Sequence, residues 1–153
     1  MTTRDRSDDI QAIETLIARQ FRSISWSADK ISDWETFAGD FVTDAPLYAA
    51  ARPAKRQLLP AFIERMKTAA RTNLESFEQS VGGTKIHVFG NVAVAFGVCC
   101  NIENRERETQ GVEAFLLIKE NGTWRIAAQA WDMEDEALKV PDYLLHGTQN
   151  PDR

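Results

Sequence analysis

Two tight-turn signals in the last third of the chain constrain its fold most. Gly90-Asn91 and Asn121-Gly122 each lie between two runs rich in apolar residues, and such dipeptides are typical of two-residue turns between antiparallel strands. The sequence therefore predicts two long β-hairpins. A two-residue turn also fixes which residues face each other, so each hairpin predicts its own pairing and its own two faces.

The second hairpin predicts the faces that matter most for a site. Counting outward from Asn121-Gly122 pairs Phe115 with Ala128 and Glu113 with Ala130. One face then carries Glu113, Phe115, Leu117, Trp124, Ile126, Ala128, Ala130 and Asp132. The other carries Val112, Ala114, Leu116, Ile118, Arg125, Ala127, Gln129 and Trp131. Both faces are largely apolar, so both are expected to be covered.

The first hairpin is expected to pair in the same way. Counting from Gly90-Asn91 sets Lys85, His87 and Phe89 against Val92, Val94 and Phe96, and sets Ile86 and Val88 among small residues. The connection between the hairpins, residues 101–108, is rich in charge and is predicted to be a mobile loop. Gly82-Gly83 is expected to break or bulge the chain before the hairpins begin.

The first half of the chain predicts three helices. An amphipathic helix is expected from about Asp8 to Trp26, because large apolar residues recur at spacings of three and four: Ile10, Ile13, Ile17, Phe21 and Ile24. Ser32 or Asp33 is expected to cap a second, shorter helix. A short apolar run, 47–51, predicts a strand, and Pro60 marks the first turn of a third helix.

Composition and charge exclude several classes of protein. A net charge of −5 and a pI near 5.1 argue against a nucleic-acid or anionic-membrane surface. The chain shows no signal peptide and no apolar run of the roughly 18 residues that a membrane span needs, so a cytoplasmic protein is expected. Its 153 residues fit one domain, predicted over 1–135, followed by a C-terminal tail over 136–153.

Neither a cofactor nor a metal site is predicted. No stretch carries a metal-ligand spacing, a phosphate loop or a nucleophile motif. Cys99 and Cys100 are adjacent on a predicted strand and point to opposite faces, so a bond between them would be strained. Both are interpreted as reduced, with core packing a more common role than redox chemistry.

The order of the predicted elements and three motifs resemble a known superfamily. The motifs are Phe41-Val42-Thr43-Asp44-Ala45-Pro46-Leu47-Tyr48, the hairpin around Gly90-Asn91, and Asn121-Gly122-Thr123-Trp124-Arg125-Ile126-Ala127. They are similar to stretches of the nuclear-transport-factor-2-like (cystatin-like) superfamily and, within it, of SnoaL-like and ketosteroid-isomerase-like bacterial proteins. The resemblance implies an α+β fold in which a curved antiparallel sheet wraps around the N-terminal helices as a cone-shaped barrel with an interior pocket.

The resemblance also implies where a ligand would lie. The stretch from Ala128 to Trp131 is similar to the part of ketosteroid isomerases that lines the site, which makes the Glu113 face the interior one. The expected pocket residues are Gln20, Tyr48, Phe115, Leu117, Ala128 and Ala130. The isomerase chemistry does not carry over, because Gln20, Ala49 and Phe115 occupy the positions of its oxyanion-binding tyrosine, its basic aspartate and its second oxyanion donor.

The polar candidates that remain each have an ordinary structural alternative. Glu113, on an apolar face, would have a raised pKa suited to acid/base chemistry, or else would lie at the pocket mouth and meet water or an arginine. Asp132 is a second catalytic candidate, although an aspartate at the end of a strand is more often simply exposed to solvent. His87 would face the pocket or a subunit interface. Arg52 and Arg56, which flank Pro53, would suit an anionic ligand, although a solvated loop is the more common explanation for such residues.

Two functional hypotheses follow. The first is a protein that binds a small apolar molecule in its pocket; the second is an isomerase, cyclase or dehydratase that uses Glu113, with Asp132 or Tyr48, to transfer protons. Small residues on the inner face favour binding, since alanines leave volume and offer no protons. The apolar outer face predicts a homodimer packed through Leu116, Ile118, Gln129 and Trp131.

Overall fold

Four strands of 11 to 14 residues make up most of the protein. The structure is a computed structural model that describes residues 3–50, 53–145 and 147–148. The strands, numbered in chain order, are β1 (Pro46–Ala49), β2 (Lys55–Leu58), β3 (Phe77–Phe89), β4 (Val92–Glu103), β5 (Arg107–Glu120), β6 (Thr123–Met133) and β7 (Gly147–Thr148). They form one sheet in the order β2-β1-β6-β5-β4-β3-β7.

The sheet is curved, unclosed and mostly antiparallel, and the N-terminal helices pack on its concave side. Pairing is antiparallel except that β1 lies parallel to β6 and β7 parallel to β3. The helices are α1 (Thr3–Ile24), α2 (Trp34–Gly39), α3 (Leu59–Thr72) and α4 (Asp142–Leu145). The predicted α+β architecture, with an antiparallel sheet wrapped around N-terminal helices, is confirmed.

The apolar stripe of α1 forms the centre of the core. Its inward positions are less than 6 % exposed and follow the helical spacing: Ile10, Ile13, Leu16, Ile17, Gln20, Phe21 and Ile24. They pack against inward positions of the sheet that include Phe115, Leu117 and Ile126. At α2 the side chain of Asp33, and not that of Ser32, accepts the capping hydrogen bond from the Thr36 amide, at 3.0 Å.

The register of the first hairpin is as predicted, and that of the second is only half as predicted. Phe89 pairs with Val92 and His87 with Val94. In the second hairpin Glu120 pairs with Thr123 and Leu117 with Ile126, after which the register shifts by one residue. A β-bulge at Ala127 causes the shift, so that one extra residue lies in β6.

The bulge reverses the faces of the second half of β6. Phe115 pairs with Gln129 and Glu113 with Trp131, where Ala128 and Ala130 were predicted. Because side chains alternate between faces along a strand, one extra residue exchanges every side chain beyond it. Gln129 and Trp131 therefore face inward, and the predictions that placed them at an outer interface were wrong.

The charged segment between the hairpins was also predicted incorrectly. β4 continues to Glu103 and β5 begins at Arg107, so the segment is a third hairpin with a short turn. Asn104 and Arg105 both have positive φ, 51° and 62°. Asparagine tolerates this conformation, but arginine rarely adopts it, so the dipeptide gives no clear turn signal.

Part of the predicted C-terminal tail packs on the convex side of the sheet. Val140 and Leu144 are buried against Val98 in a small second core. Residue 146 and residues 149–153 of that tail lie outside the described residues, as does Arg52. Arg56 is exposed on β2. No helix in the described ranges is long and apolar enough to cross a membrane.

Candidate functional site

Glu113 occupies the middle of β5 with its side chain on the concave face. It is 6 % exposed, and it pairs across the sheet with Gly97 of β4 and Trp131 of β6. Inward positions on an inner strand are normally apolar, as Phe115 and Leu117 are on this one. A buried carboxyl at such a position needs hydrogen-bond donors.

Neutral side chains from three other strands supply those donors. Gln129 Nε2 donates to Glu113 Oε1 at 2.5 Å, and Gln79 Nε2 donates to Oε2 at 3.0 Å. The Cys99 thiol is a third partner of the carboxyl. Within the part of the chain that the structure describes, no lysine or arginine pairs with Glu113.

The network continues into the first helix. Gln20 Nε2 donates to Gln129 Oε1 at 2.5 Å, and Gln129 Nε2 also lies 3.2 Å from Gln20 Oε1. Gln20 is 1 % exposed and Gln129 is 4 % exposed. The two amides therefore connect α1 to the carboxyl on β5 and fix the orientation of the Gln129 side chain.

Burial dominates the acid–base properties of this cluster. Desolvation raises the pKa of Glu113 to about 7, although the hydrogen bonds from Gln129, Cys99 and Gln79 each lower it. Burial, followed by the charge of Glu113, raises the pKa of the Cys99 thiol far above its usual range. At neutral pH Cys99 is therefore a thiol, which suits a donor to the carboxyl and not a nucleophile.

Glu113 borders an interior cavity of about 330 Å³ between the sheet and the helices. Its walls carry aromatic side chains that contact one another: the Phe37 and Phe62 rings stack at 5.7 Å, and Phe62 meets Trp131 edge-on at 5.7 Å. Phe77 and Met66 are further apolar residues of the lining. The volume lies within the range of small-molecule sites, which combine apolar walls with a few polar groups.

Charged side chains also line the cavity, and most of them have partners. Arg107 pairs with Glu103 at 3.6 Å, and Arg65 lies over the Phe62 ring at 5.5 Å from its centre. Glu134 accepts hydrogen bonds from the Val140 amide and the Gln110 side chain.

Asn101, which is 7 % exposed, is a further polar side chain in the cavity lining. Its buried Oδ1 has no hydrogen-bond partner among the residues that the structure describes. An orphaned buried acceptor is costly unless a ligand or water satisfies it.

The structure separates the site residues predicted from sequence into three groups. Gln20 and Glu113 both line the interior cavity. Phe115 and Leu117 are core residues, with the Phe115 ring 6.4 Å from that of Phe21. Asp132 lies on the opposite face from Glu113, beside Val112, and accepts a hydrogen bond from the Met133 amide at 2.9 Å.

The remaining predicted pocket residues lie on the convex face of the sheet. Tyr48, Ala128 and Ala130 line an outer groove of about 580 Å³, together with His87. His87 is exposed and faces away from the interior cavity. The bulge at Ala127 explains why Ala128 and Ala130 lie on the convex face. It turns both of them outward and turns Gln129 inward.

Several polar residues of the interior cavity were not predicted from the sequence, among them Gln79, Cys99, Asn101 and Gln129. Cys99 and Asn101 alternate with outward residues on β4, so their period-two spacing was an available signal. Gln79 was missed because it lies before Gly82-Gly83, and the hairpins were predicted to begin only after these glycines. Among the described residues, no group of three histidine, cysteine, aspartate or glutamate side chains could hold a metal ion.

The fold places the chain among known structures. It is the cystatin-like, or nuclear-transport-factor-2-like, fold, which confirms the fold that the resemblance implied. The chain matches no family model, and no curated protein is significantly similar to it.

Some of the similar structures carry the names of enzymes. A protein assigned as scytalone dehydratase from Novosphingobium aromaticivorans aligns with a TM-score of 0.71 and 16% identity, over 95% of this chain and 97% of that one. The hexachlorocyclohexane dehydrochlorinase LinA-type3 from Novosphingobium barchaimii aligns with a TM-score of 0.69 and 12% identity, over 92% and 99%. A cystatin-like protein of unknown function from Nostoc punctiforme aligns with 0.65 and 15%, over 84% and 92%. At such identities the similarity describes the fold alone.

Proposed function

We propose that the protein binds a small molecule with a mainly apolar body in its interior cavity, with the polar end of the ligand at Glu113. The observation that carries the proposal is the buried carboxyl, held by amide and thiol donors, beside a cavity of about 330 Å³ with aromatic walls. A buried ionisable group is costly to maintain for stability alone. Its position at a concave site therefore favours a functional role.

Catalysis at Glu113 is the second candidate function. A carboxyl with a pKa of about 7 can both take and give a proton near neutral pH. Two structures of the same fold carry the names of a dehydratase and a dehydrochlorinase, and both names denote eliminations, which need a base. Glu113 is the base we propose for such a reaction, acting without Asp132, since the two side chains lie on opposite faces.

Binding can be tested with three aromatic probes of one size and different charge. Naphthylmethanol is neutral, naphthylmethylamine is a cation and naphthoate is an anion at neutral pH. We expect calorimetry to detect at least one of them. Met66→Trp, which fills the cavity from α3, should abolish the binding, whereas Glu64→Trp on the exposed side of the same helix should preserve it. Absence of binding for all three probes at millimolar concentration would refute the proposal.

We also propose a homodimer that packs through the convex face of the sheet. Val92, Val94, Phe96 and Leu116 are 43–51 % exposed on this face, and an exposed apolar surface of this kind favours association. Leu116 and Ile118 remain in the proposed interface, whereas Gln129 and Trp131 are excluded because they face inward.

Light scattering tests the dimer. The wild type should have twice the monomer mass of 17.3 kDa at micromolar concentration. Leu116→Glu should give monomers, and Ile31→Glu, at a residue 88 % exposed outside the sheet, should not. A wild-type monomer would remove the proposal. A cytoplasmic location stays a prediction from the sequence.

A further inference from the structure

We infer that the ligand of the interior cavity is an organic cation, a small amine with an aromatic or otherwise apolar body whose ammonium group pairs with the Glu113 carboxylate. The juxtaposition that points to this class is a buried carboxyl with neutral partners at a cavity whose walls are aromatic. The inference rests on the proposed binding function and specifies its ligand.

The Glu113 carboxyl has only neutral hydrogen-bond partners among the described residues. Gln129 and Gln79 donate to it through their amides, and Cys99 donates through its thiol. Gln20 on α1 is connected to it only through Gln129. A buried carboxylate is normally paired with a cation. The described residues do not provide that cation, so a positively charged ligand would supply the missing partner.

The aromatic walls of the interior cavity also suit a cation. Phe37, Phe62, Phe77 and Trp131 line the cavity, and the negative faces of aromatic rings attract cations. One of these rings already holds a cation, since the Arg65 guanidinium lies 5.5 Å from the centre of Phe62. The same lining thus suits both the apolar body and the charged end of an amine.

The other charged groups around the cavity decide whether its electrostatic potential favours a cation or an anion. Arg107 is paired with Glu103 on the neighbouring strand, and Arg65 on α3 lies over Phe62. Glu134, after β6, accepts hydrogen bonds only from neutral groups among the described residues. Three carboxyls and two guanidiniums therefore line the cavity, which favours a cation over an anion when Glu113 is ionised.

A neutral ligand is the competing alternative. Protonated Glu113 would donate a hydrogen bond to a carbonyl or hydroxyl oxygen, and such a ligand would prefer low pH. An amine needs the carboxylate and prefers high pH. Since burial raises the pKa of Glu113 to about 7, binding of the two ligand classes responds oppositely to pH around neutrality.

The experiment compares naphthylmethylamine with naphthylmethanol, which have nearly the same shape. At pH 8 the amine should bind at least about tenfold more tightly, the ratio expected when a hydrogen bond involves a charged pair. Lowering the pH from 8 to 6 should weaken amine binding about tenfold, because the carboxylate fraction falls by that factor around a pKa of about 7. Alcohol binding should not weaken.

Two variants assign the effect to Glu113. Glu113→Gln should abolish the preference for the amine and its pH dependence while retaining the alcohol. Glu120→Gln, which removes an exposed carboxyl at the end of the same strand, should change neither. If Glu113→Gln does not fold, the pH dependence of the wild type decides alone.

Each outcome has a distinct meaning. Tighter binding of the alcohol or of naphthoate, or amine binding that strengthens at low pH, would overturn the cation inference and leave the proposed binding function intact. Absence of binding for all the probes would overturn the binding function itself, and with it this inference.

Discussion

The raised pKa of Glu113 makes stability depend on pH in a way that can be measured without a ligand. The pKa rises from 4.5 for an ordinary glutamate to about 7 in the folded protein. The folded state therefore binds more protons than the unfolded state between these values, so the free energy of unfolding falls as pH rises through this window. One pKa unit corresponds to about 1.4 kcal/mol, so the whole effect is about 3 kcal/mol.

The perturbation is Glu113→Gln, which removes the titrating group. Urea unfolding of wild type and variant from pH 5 to pH 8 gives the difference in their free energies of unfolding at each pH. Other titrating groups contribute equally to both proteins and cancel in this difference. We expect the variant to gain about 2–3 kcal/mol relative to wild type between pH 5 and pH 8.

The pH dependence is the diagnostic, because the glutamine also changes the hydrogen bonds. Gln79 and Gln129 both donate to the carboxyl, and a glutamine at position 113 offers one acceptor oxygen instead of two, which adds a constant cost. Glu120→Gln should give a flat difference. If the difference for Glu113→Gln is also flat, the carboxyl is solvated and the reasoning from burial is wrong.

Three further predictions test the packing around the site. Gln129→Leu should raise the pKa of Glu113 further and destabilise the fold by about 1–3 kcal/mol, because it removes a donor from a buried carboxyl; carboxyl NMR titration and urea unfolding measure the two effects. Gly111→Ala should destabilise the fold by about 1–3 kcal/mol or more, since a Cβ there would lie 2.4 Å from a backbone oxygen of the facing strand. The control is Gly39→Ala, at a helical position with open space around it, which should be neutral or stabilising by about 0.5–1 kcal/mol in the same urea assay. The Cys99 thiol should react with a disulfide reagent at pH 8 much more slowly in the folded protein than in urea, because burial raises its pKa, and equal rates would contradict its placement.

The parts of the fold that local chemistry encodes could be predicted. In the second hairpin both turn residues, Asn121 and Gly122, have positive φ, a conformation that these residues tolerate and that two-residue turns require. The helical spacing of the isoleucines in α1 predicted the stripe that packs in the core. Glu113 was placed correctly on the same face as Phe115 and Leu117 because the extra residue lies in β6, so side chains alternate without interruption along β5.

The site itself depended on a feature with no local signal. Ala127, the extra residue of the bulge, stands in a run of small residues that fits a regular strand equally well. The bulge brings Gln129 to Glu113 and Trp131 to Phe62. Each of these contacts joins residues that lie on different elements and are separated along the chain. Their free energy exists only once the sheet has curved around the helices.

The sequence by itself thus determined the three N-terminal helices, the two predicted hairpins with their turns, their order, and the face that one carboxyl shares with the apolar residues of its strand, because turn conformation and periodicity act over a few residues. The tertiary structure alone decided which partners that carboxyl has. Gln20, Gln79, Cys99 and Gln129 come from four separate elements, and a shift of one residue in any strand would have exchanged its partner for a neighbour on the opposite face. The burial that sets the pKa of Glu113 is likewise a property of the assembled fold, since desolvation requires every wall of the cavity to be present.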